Sequence, residues 1–266
     1  TFARPFVFSG AVPGDPGDAR FNMYILEHTY QWLSGRSDDL LSPPFFYPYP
    51  YAIFFSDTHA GTSFIYALFR SFGASEYTSF SLWTISGYLT TFWASYYVFY
   101  KLKFNPYVAG IAAAIVAFNL PSLMQLGHAQ LSFRFGIPLS VFFAWSALAR
   151  AHAPSGLAAL CWFLAQILAS IYLGVFLALF LLAFVVVFLV IARFNPHIVP
   201  PDPLCCLMQS VEHARTRTAI LSALALVLGA AVAALQAGHA WVANLYQIRR
   251  EWLEVEAMLQ GPAAIF

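Results

Sequence analysis

From Leu157 to Ala192 the chain runs 36 residues without a charged side chain, and between Tyr77 and Pro201 it contains neither Asp nor Glu. A helix needs only about 20 apolar residues to cross a bilayer core of ~30 Å. As one helix, at ~1.5 Å per residue, the charge-free run would extend ~54 Å, far beyond that core. It must therefore fold into two helices, and the reversal is expected within Ser170-Ile171-Tyr172-Leu173-Gly174.

The rest of the composition agrees with a membrane location. Hydrophobic residues make up 60% of the chain and charged residues 9%, where a soluble domain has roughly 45–50% apolar residues. The fold class expected is all-α, a polytopic transmembrane helical bundle with juxtamembrane helices outside the cytoplasm. A net charge of +1 from scattered basic residues argues against nucleic acid as a partner. Cys161 and the adjacent Cys205 and Cys206 form no metal or disulfide pattern and read as structural.

Taken in order, residues 1–57 are rich in Pro, Gly, Tyr and Phe and hold six of the twelve acidic residues, which reads as a folded region outside the hydrocarbon. Phe21, Ile25, Leu26 and Leu33, interleaved with Glu27, His28 and Gln31, predict a short amphipathic helix at the interface. Prolines forbid a helix over 43–51, and the tyrosines there suit headgroup level. Residues 58–72 read as a second juxtamembrane helix, with Gly73 at its end. Spans are expected at 76–100, 106–120 and 136–149, twice within 157–192, and at 218–236. Between them, 121–135 leaves or skims the membrane and 193–217 is a polar loop. The chain thus divides into an outer region with amphipathic helices (1–75), a bundle of about six helices (76–236) and an amphipathic tail (237–266). Because it opens on Thr1 rather than Met, we expect it to be a segment of a longer protein.

Basic residues in short loops mark the cytoplasmic side. Lys101, Lys103, Arg150, Arg193, Arg215 and Arg217 fall on one side, against only Asp202 and Glu212. Alternation then gathers the N-terminal region, residues 121–135, the turn at Ser170–Gly174 and the C-terminal tail on the opposite side, where their polar groups can converge.

The densest ionisable stretch lies there. Gly14-Asp15-Pro16-Gly17-Asp18-Ala19-Arg20-Phe21-Asn22 with Leu26-Glu27-His28, then Pro44-Phe45-Phe46-Tyr47-Pro48, Ser56-Asp57 and Gln125-Leu126-Gly127-His128-Ala129-Gln130-Leu131, resemble a set of largely uncharacterised bacterial polytopic proteins. Those in turn are similar to GT-C glycosyltransferases. The resemblance runs from about Asp15 to at least Tyr172, with a weaker echo over 246–258. It implies an inner-membrane enzyme, a polyprenyl-phosphate-linked sugar as donor, and an acidic residue of the first large extracytoplasmic loop acting on the acceptor. This chain carries Asp-x-x-Asp rather than adjacent acids or Asp-x-Asp, so the base is open between Asp18 and Asp15. A first span before Thr1, expected in that family, is missing.

Each residue has a plainer role to be weighed against. Asp15 and Asp18 precede an apolar helical run, where Asp is a normal capping residue; as a base, a carboxylate must lie within hydrogen-bond reach of the acceptor hydroxyl. Arg20 follows them. Glu27 and His28, about 100° apart on a helix, either face headgroups or bind substrate, since ionisable groups at membrane depth are costly. Asp57 suits an N-cap for the second juxtamembrane helix, and His59 a ligand. His128, Gln130 and Arg134 suit a sugar or phosphate, Tyr172 a packing or contact role, and Arg249 and Arg250 a phosphate leaving group. Asp18, His28, Asp57 and His59 could together hold a divalent cation, though no spacing matches a dedicated metal motif. Two rivals remain: a non-catalytic subunit of a larger assembly with protein partners, and a transporter of a lipid-linked substrate. Transport calls for ionisable or broken-helix features at mid-bilayer, whereas here the polar groups collect at one face among membrane lipids.

Overall fold

The structure is a computed structural model describing residues 12, 17–119, 126–249 and 251–252. Asp15, Gln125 and Arg250 lie outside the described residues, which contain helices and no strand. The described residues form nine α-helices in order: α1 Asp18–Leu33, α2 Ser63–Ser71, α3 Glu76–Lys101, α4 Pro106–Ala117, α5 Gly136–Arg150, α6 Ala153–Ala169, α7 Ile171–Phe194, α8 Pro203–His213 and α9 Arg215–Leu245. Short 3-10 turns cover Pro44–Phe46, Ala52–Phe55, Leu126–Ser132 and Pro196–Ile198. Three segments are long and apolar enough to cross a membrane: Gly127–Arg150, Ile171–Phe194 and Arg215–Leu245. In the first, the stretch before α5 is a 3-10 turn kinked at His128.

The charge-free run breaks at Ser170, whose extended backbone (φ −159°, ψ 121°) separates α6 from α7. Gly174 then sits so close to Ile167 that an added Cβ would fall 2.5 Å from its Cγ1. Residues seven apart on a continuous helix would be ~10 Å apart along the axis, so the chain reverses here. The helices pack as neighbours in the order α4, α3, α5, α6, with α7 and α9 both against α6.

Other boundaries moved. The second juxtamembrane helix begins at Ser63, with Thr62 rather than Asp57 at its N-cap, and Gly73 follows its end at φ +85°, a conformation that suits glycine. The polar loop after α7 contains α8, started by Asp202, whose carboxylate accepts from Cys205 N at 3.0 Å, and by Pro203 at N1. The last helix does not stop at Gln236. It runs to Leu245 through Gly238, where an added Cβ would meet the Phe54 ring at 2.5 Å.

The main core joins α1, α2, α3, the 126–132 turn and the end of α6 through Ala19, Leu26, Tyr66, Phe80, Trp83, Ala129, Phe133 and Ala169. Two polar side chains in and beside it are paired. Gln166 of the apolar run accepts from Gly136 N at 3.0 Å and donates to Phe133 O at 2.8 Å, and Trp83 Nε1 donates to Thr62 O at 3.1 Å. These bonds tie α6 to the chain that leads from the 126–132 turn into α5, and α3 to the residue before α2.

Candidate functional site

Asn22, on α1, is the residue around which the site is built. It is buried, and its Nδ2 donates to Gly127 O at 3.0 Å and to Gln130 Oε1 at 3.1 Å, tying α1 to the turn that carries His128. Behind it, His59 Nε2 lies 2.9 Å from Asn22 Oδ1. Gly127 O can only accept, so the nearer Asn22 atom is the nitrogen and the other is the oxygen; His59 therefore donates from Nε2. His59 is fully enclosed, and burial holds its pKa down to about 3, so the ring is neutral.

On this base stands a cleft of ≈ 860 Å³. Asp18, Phe21 and Asn22 of α1 line one side, with His128, Gln130 and Leu131 of the turn beside them; Tyr172, Leu173 and Phe176 at the start of α7 form the facing wall. Phe46, Phe55, Ser56 and Ile248 complete it. The aromatic wall is held by the last helix: Tyr246 packs edge-on against Phe55 and Tyr49 and donates to Pro50 O at 3.0 Å, while His239 Nδ1 donates to Phe54 O at 2.9 Å.

At the polar end, Asp18 Oδ2 lies 3.6 Å from His128 Nε2, with the two side chains 59% and 54% exposed. That separation is just beyond a direct hydrogen bond and closes with a small side-chain rotation. Asp18 is the first helical residue, preceded by Gly17 at the N-cap, which makes no side-chain capping bond. Its carboxylate lies in the first turn of α1, where the helix dipole favours negative charge.

Asp18, His128, Gln130 and Tyr172 thus meet in one cleft, across more than a hundred residues of chain. Among the described residues, the other expected site residues do not line it. Glu27 is buried on the far side of α1, where it accepts from Arg70 Nε and Nη2 at 2.7 and 3.0 Å and from Tyr66 Oη at 2.7 Å, fastening α1 to α2. This carboxylate raises the pKa of Arg70, and burial, with Glu27, raises that of Tyr66. His28 Nε2 is 3.1 Å from Leu40 O. Asp57 caps α7, not α2: its carboxylate accepts from Ile171 N at 3.3 Å, and burial pushes its pKa up to about 6. His59 serves Asn22. Arg134 Nη2 donates to Ala117 O at 2.8 Å, at the end of α4, and its backbone N donates to Thr91 Oγ1 at 2.9 Å. Arg20 and Arg249 are exposed.

No protein-family model, curated protein or solved structure matches the chain.

The proposed set of cation ligands is dispersed, since His28, Asp57 and His59 each serve a different internal contact. Among the described residues no three His, Cys, Asp or Glu side chains gather to hold a metal ion. Sequence reading passed over Asn22 as a site residue, although it stood in the quoted stretch. Its signal was a polar side chain one helical turn beyond Asp18, on the same face of α1.

Proposed function

We propose that this chain is an integral glycosyltransferase of the inner membrane, a polytopic bundle of about six spans with its cleft on the extracytoplasmic side. It moves a sugar from a polyprenyl-phosphate carrier to an acceptor hydroxyl. The observation that carries this reading is the pairing of Asp18 with His128 at 3.6 Å, at the polar end of a cleft whose facing wall, Leu173 and Phe176, is apolar. Such a cleft suits an amphiphile with its head at the pair and its chain along α7.

In this reading Asp18 is the general base. The acceptor hydroxyl attacks the anomeric carbon and its proton passes to Asp18; the bond from that carbon to the phosphate oxygen breaks, and its electron pair leaves with the carrier phosphate. His128 stands beside Asp18 to hold either the acceptor or the departing phosphate. A positioned base contributes roughly 10²–10⁴-fold.

The test is Asp18→Asn assayed in proteoliposomes with a polyprenyl-phosphate sugar. The variant keeps the side chain's shape but cannot take a proton, and transfer should fall by roughly 10²–10⁴-fold with unchanged expression. Full transfer by the variant would reject Asp18 as base. A wild-type protein without transfer that copurifies with a fixed partner would instead favour a non-catalytic subunit.

A further inference from the structure

An amide side chain can be turned end for end at little cost, so which end faces a cleft is usually ambiguous. Here it is decided. Gly127 O fixes the nitrogen of Asn22, and the same nitrogen lies 3.1 Å from Gln130. The Gln130 atom meeting it is therefore the oxygen, which leaves the Gln130 N–H2 group pointing away from Asn22. Gln130 is only 4% exposed, yet it lines the cleft. The other end of the chain is locked as well. His59 is neutral and fully enclosed, its one ring proton is committed to Asn22, and among the described residues its Nδ1 has no partner.

We propose that Gln130 is the hydrogen-bond donor that the cleft presents to a phosphoryl oxygen of its ligand, and that His59, outside the cleft, is a positioning residue that acts with Gly127 O to hold this polarity. This rests on the lipid-phosphate reading given above and adds to it the group that recognises the phosphate. The hydrogens on the Gln130 nitrogen are donors, so this group pairs with an oxygen acceptor and has nothing to offer an ammonium. Its neighbours fit a head-and-chain ligand: His128 lines the same polar corner, and the apolar wall of Leu173 and Phe176 leads away from it.

Gln130→Glu separates the two ends of the amide. It keeps an oxygen for Asn22 but replaces the donor with a carboxylate oxygen. The purified protein in detergent is titrated calorimetrically with farnesyl phosphate, farnesol and inorganic phosphate. A hydrogen bond to a charged group corresponds to roughly 10–150-fold in affinity, so the wild type should prefer farnesyl phosphate over farnesol by at least about tenfold. Gln130→Glu should abolish that preference while leaving farnesol binding and the thermal transition in place. His59→Gln, which offers an N–H at the position of Nε2, should keep the preference, and His59→Phe should lose it by about tenfold.

Retention of the preference by Gln130→Glu overturns the donor role and leaves the lipid-phosphate reading standing. A wild type that does not distinguish farnesyl phosphate from farnesol overturns that reading. Should Gln130→Glu fail to fold, Gln130→Met gives the same comparison: loss of the preference supports the proposal and retention overturns it. Competition by inorganic phosphate at similar concentration would place a free phosphate in the corner, and its failure to compete a lipid headgroup; either supports the donor role if Gln130→Glu removes the binding.

Discussion

The Asp57 carboxylate accepts from the backbone N–H of Ile171 at 3.3 Å, across 114 residues of chain. It supplies a cap for a helix whose own N-terminal sequence, Ser170-Ile171-Tyr172, provides no side-chain capping bond, and so it anchors the reversal between α6 and α7. The facing wall of the cleft begins at that reversal.

Asp57→Asn should be tolerated, because Asn caps about as well as Asp, whereas Asp57→Ala should cost about 0.5–2 kcal/mol. Thermal unfolding in detergent measures the difference. Hydrogen exchange should locate it, with faster exchange at the first turn of α7 in the Ala variant. Equal exchange there in both variants would remove the capping role.

The pH dependence of stability follows from two buried groups of opposite sign. Asp57, raised from 3.8 to about 6, binds its proton more tightly when folded; its contribution is full below pH 3.8 and is lost as pH rises through about 6. His59, lowered from 6.5 to about 3, contributes fully above pH 6.5 and loses that contribution as pH falls toward 3. Between roughly pH 4 and 6 the slopes oppose each other and the wild type should change little. Asp57→Asn should then lose stability on acidification across that window, and His59→Gln should lose it on raising the pH. Denaturation midpoints at three pH values decide the matter.

Breaking the Glu27 and Arg70 pair should be costly. The side chains are 11% and 16% exposed, and removing one partner of a buried pair costs roughly 3–5 kcal/mol. Glu27→Ala should approach the lower end of that range, since Arg70 can still reach water. Replacing both by Leu should be milder than the single change, because no unpaired charge is left behind. A double-mutant cycle showing no coupling would contradict the assignment of Glu27 to structure.

The proposed orientation has its own test. On a background without Cys161, Cys205 and Cys206, cysteines at Asp38 and Arg249 should react with an impermeant reagent on intact cells. One at Asp202 should react only after permeabilisation. The reverse pattern would put the cleft on the cytoplasmic side.

Much of the helix layout was legible before any coordinates. The absence of Asp and Glu between Tyr77 and Pro201 marks hydrocarbon-compatible helices, and the length of the run past Leu157 forces a reversal that the structure places at Ser170. Asp18, His128, Gln130 and Tyr172 could be named because chain alternation brings their segments to one end. The reading erred where a polar residue had two plausible tasks. Glu27, His28, Asp57, His59 and Arg134 were each weighed as substrate contacts against a plainer role, and the structure gives each of them an internal partner. Arg70 and Tyr66, the partners of Glu27, lie about forty residues downstream of it, and nothing local to Glu27 points to them.

What the sequence by itself determined about this protein is where its chain is compatible with hydrocarbon and that its longest apolar run must turn back. The cost of placing a side chain in a membrane belongs to that residue and adds along the chain. Tertiary structure alone decided that Asp57 caps α7, that His59 orients Asn22, and that Gln130 turns its amide nitrogen away from Asn22. A hydrogen bond belongs to two groups at once, and where the second lies a hundred residues away, only the packed fold brings the pair within hydrogen-bond distance.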